Sequence, residues 1–266
     1  MRKFITLSSI VLILNSCATA PQERKQIQPP PVEETKTFTK KEKADGFYKI
    51  GVSYLQLGDI PLALNYLFKA KELNPEDPKI YNMIGYTFYV RGDIKQAKKY
   101  INKALKIDPK FSEAYMNLAT IAEEEGNLKE AKKYYMKALE NPLFLNPEVA
   151  YYKLAIIEEK EGNLTLAKRH LTLAIRNNID FAPAYIELAK LLEKEGKNEE
   201  AKELYYRIIK RFPNLQEAYY RLAVIYLNEK NLPLAEKFIR KCYKINPDSI
   251  WGIKAQEVMA KYGFKK

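Results

Sequence analysis

Pro78-Lys79-Ile80-Tyr81-Asn82-Met83-Ile84-Gly85-Tyr86-Thr87-Phe88-Tyr89-Val90-Arg91-Gly92-Asp93, continued by Ile94-Lys95-Gln96-Ala97-Lys98-Lys99-Tyr100-Ile101-Asn102-Lys103-Ala104-Leu105-Lys106-Ile107-Asp108-Pro109-Lys110-Phe111, carries its apolar residues in two runs at helical spacing. Tyr81, Ile84, Gly85 and Phe88 share one face of the first run, and Ala97, Ile101 and Ala104 share one face of the second. Gly92 between them reads as the left-handed residue that ends a helix, because glycine takes positive φ without steric cost. Asp77 before Pro78 reads as an N-cap followed by proline at the first helical position. Proline disfavours the α conformation in the residue before it, so Asp108-Pro109 closes the second run. The stretch is a helical hairpin. A hairpin this short cannot bury both its apolar faces alone, and needs neighbours on either side.

The rest of the chain supplies them. The turn glycine recurs at Gly58, Gly92, Gly126, Gly162 and Gly196, with Lys230-Asn231 at the sixth place, in steps of 34 residues and one of 36. A small residue recurs in the first helix as Gly51, Gly85, Ala119, Ala155, Ala189 and Ala223. The second helix keeps alanine in every copy: Ala63, Ala97, Ala131, Ala167, Ala201 and Ala235. Small side chains belong where paired helices cross closely. The copies span 44–77, 78–111, 112–145, 148–181, 182–215 and 216–249, and residues 250–266, with Trp251, Ile253, Val258, Met259 and Tyr262, read as one more helix capping the exposed end. Between the third and fourth copies Glu140-Asn141-Pro142-Leu143-Phe144-Leu145-Asn146-Pro147 lengthens and stiffens the connection.

An aromatic at the head of each copy (Phe47, Tyr81, Tyr115, Tyr151, Tyr185, Tyr219), the small residues above and a closing proline (Pro75, Pro109, Pro213, Pro247) resemble the tetratricopeptide repeat. Leu143 and Ile179 replace that proline in the third and fourth copies. The resemblance covers 44–249 and implies an all-α, right-handed superhelical solenoid of six repeats plus the capping helix. It also implies a groove lined by first-helix residues one, five, eight and nine places after the aromatic. In the first two copies these are Tyr48, Val52, Leu55 and Gln56, then Asn82, Tyr86, Tyr89 and Val90. Later copies bring Met116, Thr120, Glu123 and Glu124, and Glu159, Lys160, Lys190, Glu193 and Lys194. The expected groove is aromatic and apolar at its N-terminal end and charged in the middle. Aromatic side chains dominate interfaces, so that end is the expected seat for a partner segment; packing of the same tyrosines against neighbouring helices is the alternative.

Upstream, Arg2-Lys3, the apolar run Phe4–Leu14 and Asn15-Ser16-Cys17 read as an export signal too short to span a membrane. Its end resembles a bacterial lipoprotein signal, which implies removal of residues 1–16 and acylation of Cys17. Ala18 after the cysteine implies the outer membrane, with the repeats facing the periplasm. Residues 17–43 hold Pro21, Pro29, Pro30 and Pro31 among Lys, Glu, Gln and Thr, and read as a disordered tether. Lipoprotein signal, tether, six repeats and the Asn-Pro-Leu-Phe segment together resemble the type IV pilus biogenesis lipoproteins, the pilotins. That implies a non-enzymatic scaffold that binds secretin subunits and supports their assembly; an adaptor for outer-membrane β-barrel assembly or for cell-wall enzymes stays open.

Chemistry is sparse. There is no glycine-rich phosphate loop, CxxC pair or HExxH, and no cofactor, metal or small-molecule substrate is expected. The single histidine, His170, sits beside Lys168 and Arg169 and is expected to be exposed and structural. Cys242 takes a position filled by alanine in other copies, so it reads as a small core residue. The net charge is +12. The pairs Lys98-Lys99, Lys132-Lys133 and Lys168-Arg169 read as a solvated face, with attraction to anionic lipid or cell-wall polymer as the alternative. Nucleic acid is not an expected partner for an exported, anchored chain.

Overall fold

A computed structural model describes residues 38–265, and within them the chain is all-α. The signal, Cys17 and the tether through residue 37 lie outside the described residues, and the end of the expected tether is helical instead: residues 40–43 open the first helix, with Thr39 and Glu42 forming a capping box. Helices α1 (Lys40–Gln56) and α2 (Ile60–Leu73) form the first hairpin, α3 (Pro78–Val90) and α4 (Ile94–Ile107) the second, and α5 (Ser112–Glu124) and α6 (Leu128–Leu139) the third. Next come α7 (Pro147–Lys160) with α8 (Leu164–Asn177), α9 (Ala182–Lys194) with α10 (Asn198–Arg211), and α11 (Gln216–Asn228) with α12 (Leu232–Ile245). Helix α13 (Ile250–Tyr262) packs on both α11 and α12. Each helix touches its hairpin partner and the next hairpin, which is the solenoid the period implies.

The local chemistry that makes these turns is on the page. Gly92 has φ +86°, and its N–H reaches the carbonyl of Tyr89 while that of Asp93 reaches Phe88, so two orphan carbonyls of α3 are satisfied. Asp93 then caps α4 by accepting from the N–H of Gln96 at 3.1 Å. One Gly-Asp pair thus ends one helix and starts the next. In the sixth hairpin Lys230 holds the left-handed conformation, φ +59°, without glycine's freedom. Gly85 sits where a Cβ would stand 2.6 Å from Ile101 Cγ1 and 2.9 Å from the Ala97 carbonyl oxygen, so the crossing of α3 and α4 is closed to any side chain.

The six second-helix alanines are all fully buried, as their invariance in the sequence requires. Two large apolar clusters lie at the ends of the stack, one running from Leu64 to Ile121 and the other from Tyr185 to Met259. Two smaller clusters, more than half alanine, hold the middle. Cys242 is buried, as expected for a core residue, with Sγ 3.5 Å from the Trp251 carbonyl oxygen and its thiol pushed up to about 12 by burial. His170 departs from its expected exposure. It is half-buried, its ring stacked 6.1 Å from that of Tyr151, and Nδ1 has no hydrogen-bond partner.

Candidate functional site

The first helices of successive hairpins touch, α1 with α3 and α3 with α5, so their +1, +5, +8 and +9 residues form one wall. On α3, Tyr86 is 37% exposed and Val90 48% exposed, and the Tyr86 and Tyr89 rings lie 5.9 Å apart. The Tyr89 hydroxyl donates to Glu124 of α5. Burial and that carboxylate push its pKa up to about 12, so at neutral pH it is a fixed donor. On α1, Tyr48, Val52 and Leu55 are half-buried and Gln56 is exposed. Tyr48 also lines a cavity of about 380 Å³ with Lys41, Asp45, Asn74, Asp77, Lys79 and Ile80. Burial, then Asp77, Asp45 and Glu113, raise its pKa. Asn82 is different. It is buried and accepts from Asn117 Nδ2 of the next hairpin at 2.8 Å, so its side chain joins two copies.

The wall therefore presents an aromatic and aliphatic surface, Tyr86 and Val90 outermost with Tyr89 beside them, over the first two hairpins. Aromatic side chains of this kind are enriched at interfaces, and the Tyr89 hydroxyl among them is held by Glu124. Among the described residues no group of three or more His, Cys, Asp or Glu side chains could hold a metal, and no helix is long and apolar enough to cross a membrane.

The middle of the wall carries the expected charges, most of them paired. Glu123 accepts from the Tyr135 hydroxyl of its own hairpin at 2.9 Å and pairs with Lys153 of the next at 3.2 Å. Two copies on, Glu193 accepts from the Tyr205 hydroxyl and pairs with Arg221 at 3.5 Å. Glu159 pairs with Lys194 and Lys190 with Glu187, the latter at 2.7 Å. These charges are paired, while Lys160 stays exposed. Sequence reading missed the knot, although its signal is there: tyrosine follows the second-helix alanine by four places only in the two copies that also carry Glu123 or Glu193 and are followed by Lys153 or Arg221.

The expected solvated face holds for Lys99, Lys133 and Arg169, which are exposed, while the residue before each turns to a glutamate. Lys98 binds Glu125 at 2.7 Å, and Lys132 binds Glu158 at 2.6 Å and Glu161 at 2.8 Å. Lys168 binds Glu195 at 2.5 Å, and Lys202 binds Glu229 at 2.8 Å. Each lysine follows the second-helix alanine directly, and each bridges to the turn of the next hairpin. The result is a ladder of four successive rungs.

Models of the tetratricopeptide repeat match residues 48–110 and 186–250, and a second such model matches 90–143. No curated protein matches the sequence. Among solved structures the chain is similar to PilW, described as a widely conserved type IV pilus biogenesis factor, at 19% identity over 80% of this chain and 98% of that one, with a TM-score of 0.65. It is similar to PilF of Pseudomonas aeruginosa at 20% identity, over 84% of this chain and 99% of that one, TM-score 0.68. It is also similar to YrrB, described as having an unusual peptide-binding site, at 25% identity over 72% and 97%, TM-score 0.54.

Proposed function

Because the chain belongs to the tetratricopeptide-repeat proteins, we propose that it is a non-catalytic scaffold whose first two hairpins hold an apolar segment of a partner protein, and that it supports assembly of the type IV pilus secretin from a lipid anchor on the outer membrane. The observation that carries the binding half is the exposed pair Tyr86 and Val90, backed by Tyr89, Tyr48, Val52 and Leu55, on a wall most of whose charges are internally paired. A fixed aromatic surface binds at low entropic cost. YrrB, with its printed peptide-binding site, supports the same reading of the fold.

The pilus half rests on the sequence. The lipoprotein-type ending at Cys17 supplies an anchor, and PilW and PilF, which carry pilus names, are matched almost end to end. Each buried methylene of an acyl chain contributes about 0.8 kcal/mol and stable anchoring needs more than one chain, so a multiply acylated Cys17 would hold the scaffold at the membrane.

Full-length protein captured from gently solubilised membranes of its own host tests both halves. A ring-forming secretin is expected with the wild type, to be lost with Tyr86→Ala/Tyr89→Ala while helicity is unchanged, and its multimers are expected to fail with Cys17→Ser. Unchanged capture by the tyrosine variant would remove the groove. Barrel-assembly components or cell-wall enzymes in place of the secretin would keep the scaffold and remove the pilus assignment.

A further inference from the structure

The second helices carry a site that the groove reading does not use. Between α10 and α12 lies a cavity of about 590 Å³ with an apolar floor of Tyr206, Ile209, Tyr219 and Phe238. Tyr206 meets Phe238 edge-on at 5.7 Å and its hydroxyl lies 2.7 Å from that of Tyr226, so the floor is fixed. Along one edge stand Lys237, Arg240, Lys241 and Lys244 of α12. At spacings of three and four residues they share one helix face about 10 Å long.

Most of that charge is unspent. Lys237, Lys241 and Lys244 have no carboxylate partner among the described residues, and Lys237 merely overlies the Phe238 ring at 5.6 Å. Arg240 is held by Glu236 at 2.7 Å, yet its Nε is buried with no acceptor. The Arg240 side chain as a whole is 33% exposed, so its guanidinium edge can take a further acceptor. What distinguishes this row from the unpaired lysines on other second helices is the aromatic floor beside it, Tyr206 and Phe238.

We propose that the cleft between α10 and α12 is a second binding site, for an acidic peptide segment that places a bulky apolar side chain on the Tyr206–Phe238 floor and its carboxylates along the Lys237–Lys244 row. Acidic side chains one helical turn apart, or alternate ones on a strand, match the spacing of the cations. Charge-assisted hydrogen bonds from Arg240 and the lysines then fix the register. A bilayer surface fits worse. Phe238 and Tyr219 are buried at the bottom of a cleft, within reach of a protruding side chain and out of reach of a flat array of headgroups.

The test uses the full-length chain and three probes: a short dye-labelled peptide with glutamates flanking a central tryptophan, the same peptide with glutamine for glutamate, and phosphatidylglycerol vesicles. Saturable binding of the glutamate peptide is expected, weakened on the order of tenfold in Lys241→Glu/Lys244→Glu. The control Lys99→Glu/Lys103→Glu makes the same change of charge on α4, away from the cleft, and is expected to bind like the wild type. Circular dichroism of each variant separates loss of the site from loss of the fold, and Tyr206→Ser is expected to weaken binding without any change of charge. Equal loss in the control, equal binding of the glutamine peptide, or binding of vesicles alone would each overturn the proposal. The Tyr86→Ala/Tyr89→Ala variant should bind the acidic peptide normally, so the two surfaces stand or fall separately.

Discussion

Gly85 and Lys230 are positions where the side chain itself is the difficulty, for opposite reasons. At Gly85 the backbone is helical and only space is lacking, since a Cβ would press on Ile101 and on the Ala97 carbonyl. Alanine ordinarily favours a helix by about 1 kcal/mol over glycine, but overpacking costs typically 1–3 kcal/mol. Gly85→Ala is expected to destabilise by about 1 kcal/mol or more, read from denaturant midpoints. At Lys230 space is ample and φ is wrong for an L side chain. Lys230→Gly is expected to stabilise by about 1 kcal/mol. His170 adds a pH dependence. Burial holds its pKa below 6.5, against the pull of Glu158 and with the push of Arg169 and Lys132. The unfolded chain therefore binds a proton that the folded chain refuses, so this contribution is complete above the unfolded value and is lost as pH falls toward the folded one. As pH falls below about 6.5 stability is expected to drop, and His170→Asn is expected to flatten that slope. His170 is the chain's one histidine, and Glu158, whose burial is outweighed by its bonds to Lys132 and Asn163, titrates below 4.5.

Helix α13 shows how much one contact can decide for an element. Its third residue, Gly252, comes so close to the preceding turn that a Cβ would stand 2.1 Å from the Asn246 carbonyl oxygen. Ser249 caps the helix by accepting from the Gly252 N–H at 2.9 Å, and its own hydroxyl reaches Gln216 at 2.6 Å, so both partners of the seat are fixed. Gly252→Ala is expected to lift α13, with Trp251, off the buried Cys242 thiol. A thiol reagent should then label Cys242 under native conditions, located by peptide mass, whereas the wild-type thiol, buried and with its pKa pushed up to about 12, stays unlabelled. The seat was not legible in the sequence, because the clash is with backbone from another turn. The hairpins were legible, since Gly92, Asp93 and the crossing alanines are each required by local geometry. The fate of Glu123, Glu193 and the ladder lysines was not, since a charged residue at a surface register looks the same whether or not its partner sits a hairpin away. Of the groove residues, Tyr86 and Val90 face outward while Asn82 turns to Asn117, a difference of helix rotation that the period cannot resolve.

Across the whole stack each hairpin meets only its neighbours, so stability is close to a sum of units and interfaces and need not be uniform. The end clusters contain the bulky residues, Leu67, Ile84, Phe88 and Ile101 in one and Tyr205, Leu222, Phe238 and Ile239 in the other. The middle clusters rely on Ala119, Ala131, Ala150, Ala155, Ala167 and Ala174 around a few larger side chains. Burying a large aliphatic or aromatic side chain contributes about 1.5–3 kcal/mol, and alanine much less. Polar bonds make up part of the difference: Lys132 with buried Glu158, Lys153 with Glu123, Lys168 with Glu195, and Asn178 donating to Glu148 at 3.1 Å. The interval between α6 and α7 adds a connection in which Phe144 packs inward while Leu143 stays 82% exposed. Removing one partner of a largely buried pair leaves the other uncompensated, so Lys132→Met is expected to cost about 2 kcal/mol, and Lys98→Met, at a half-exposed rung, under about 1 kcal/mol. Native-state hydrogen exchange is the measurement that joins these points. Amides of α6, α7 and α8 are expected to exchange through a sub-global opening that leaves α3–α4 and α11–α12 protected. Salt screens the exposed rungs while leaving apolar burial in place, so added sodium chloride should widen the gap between middle and ends. Equal protection along the stack would mean that the alanine-lined middle is held as firmly as the ends, and a gap that salt does not move would mean that packing, not the ion pairs, sets the difference.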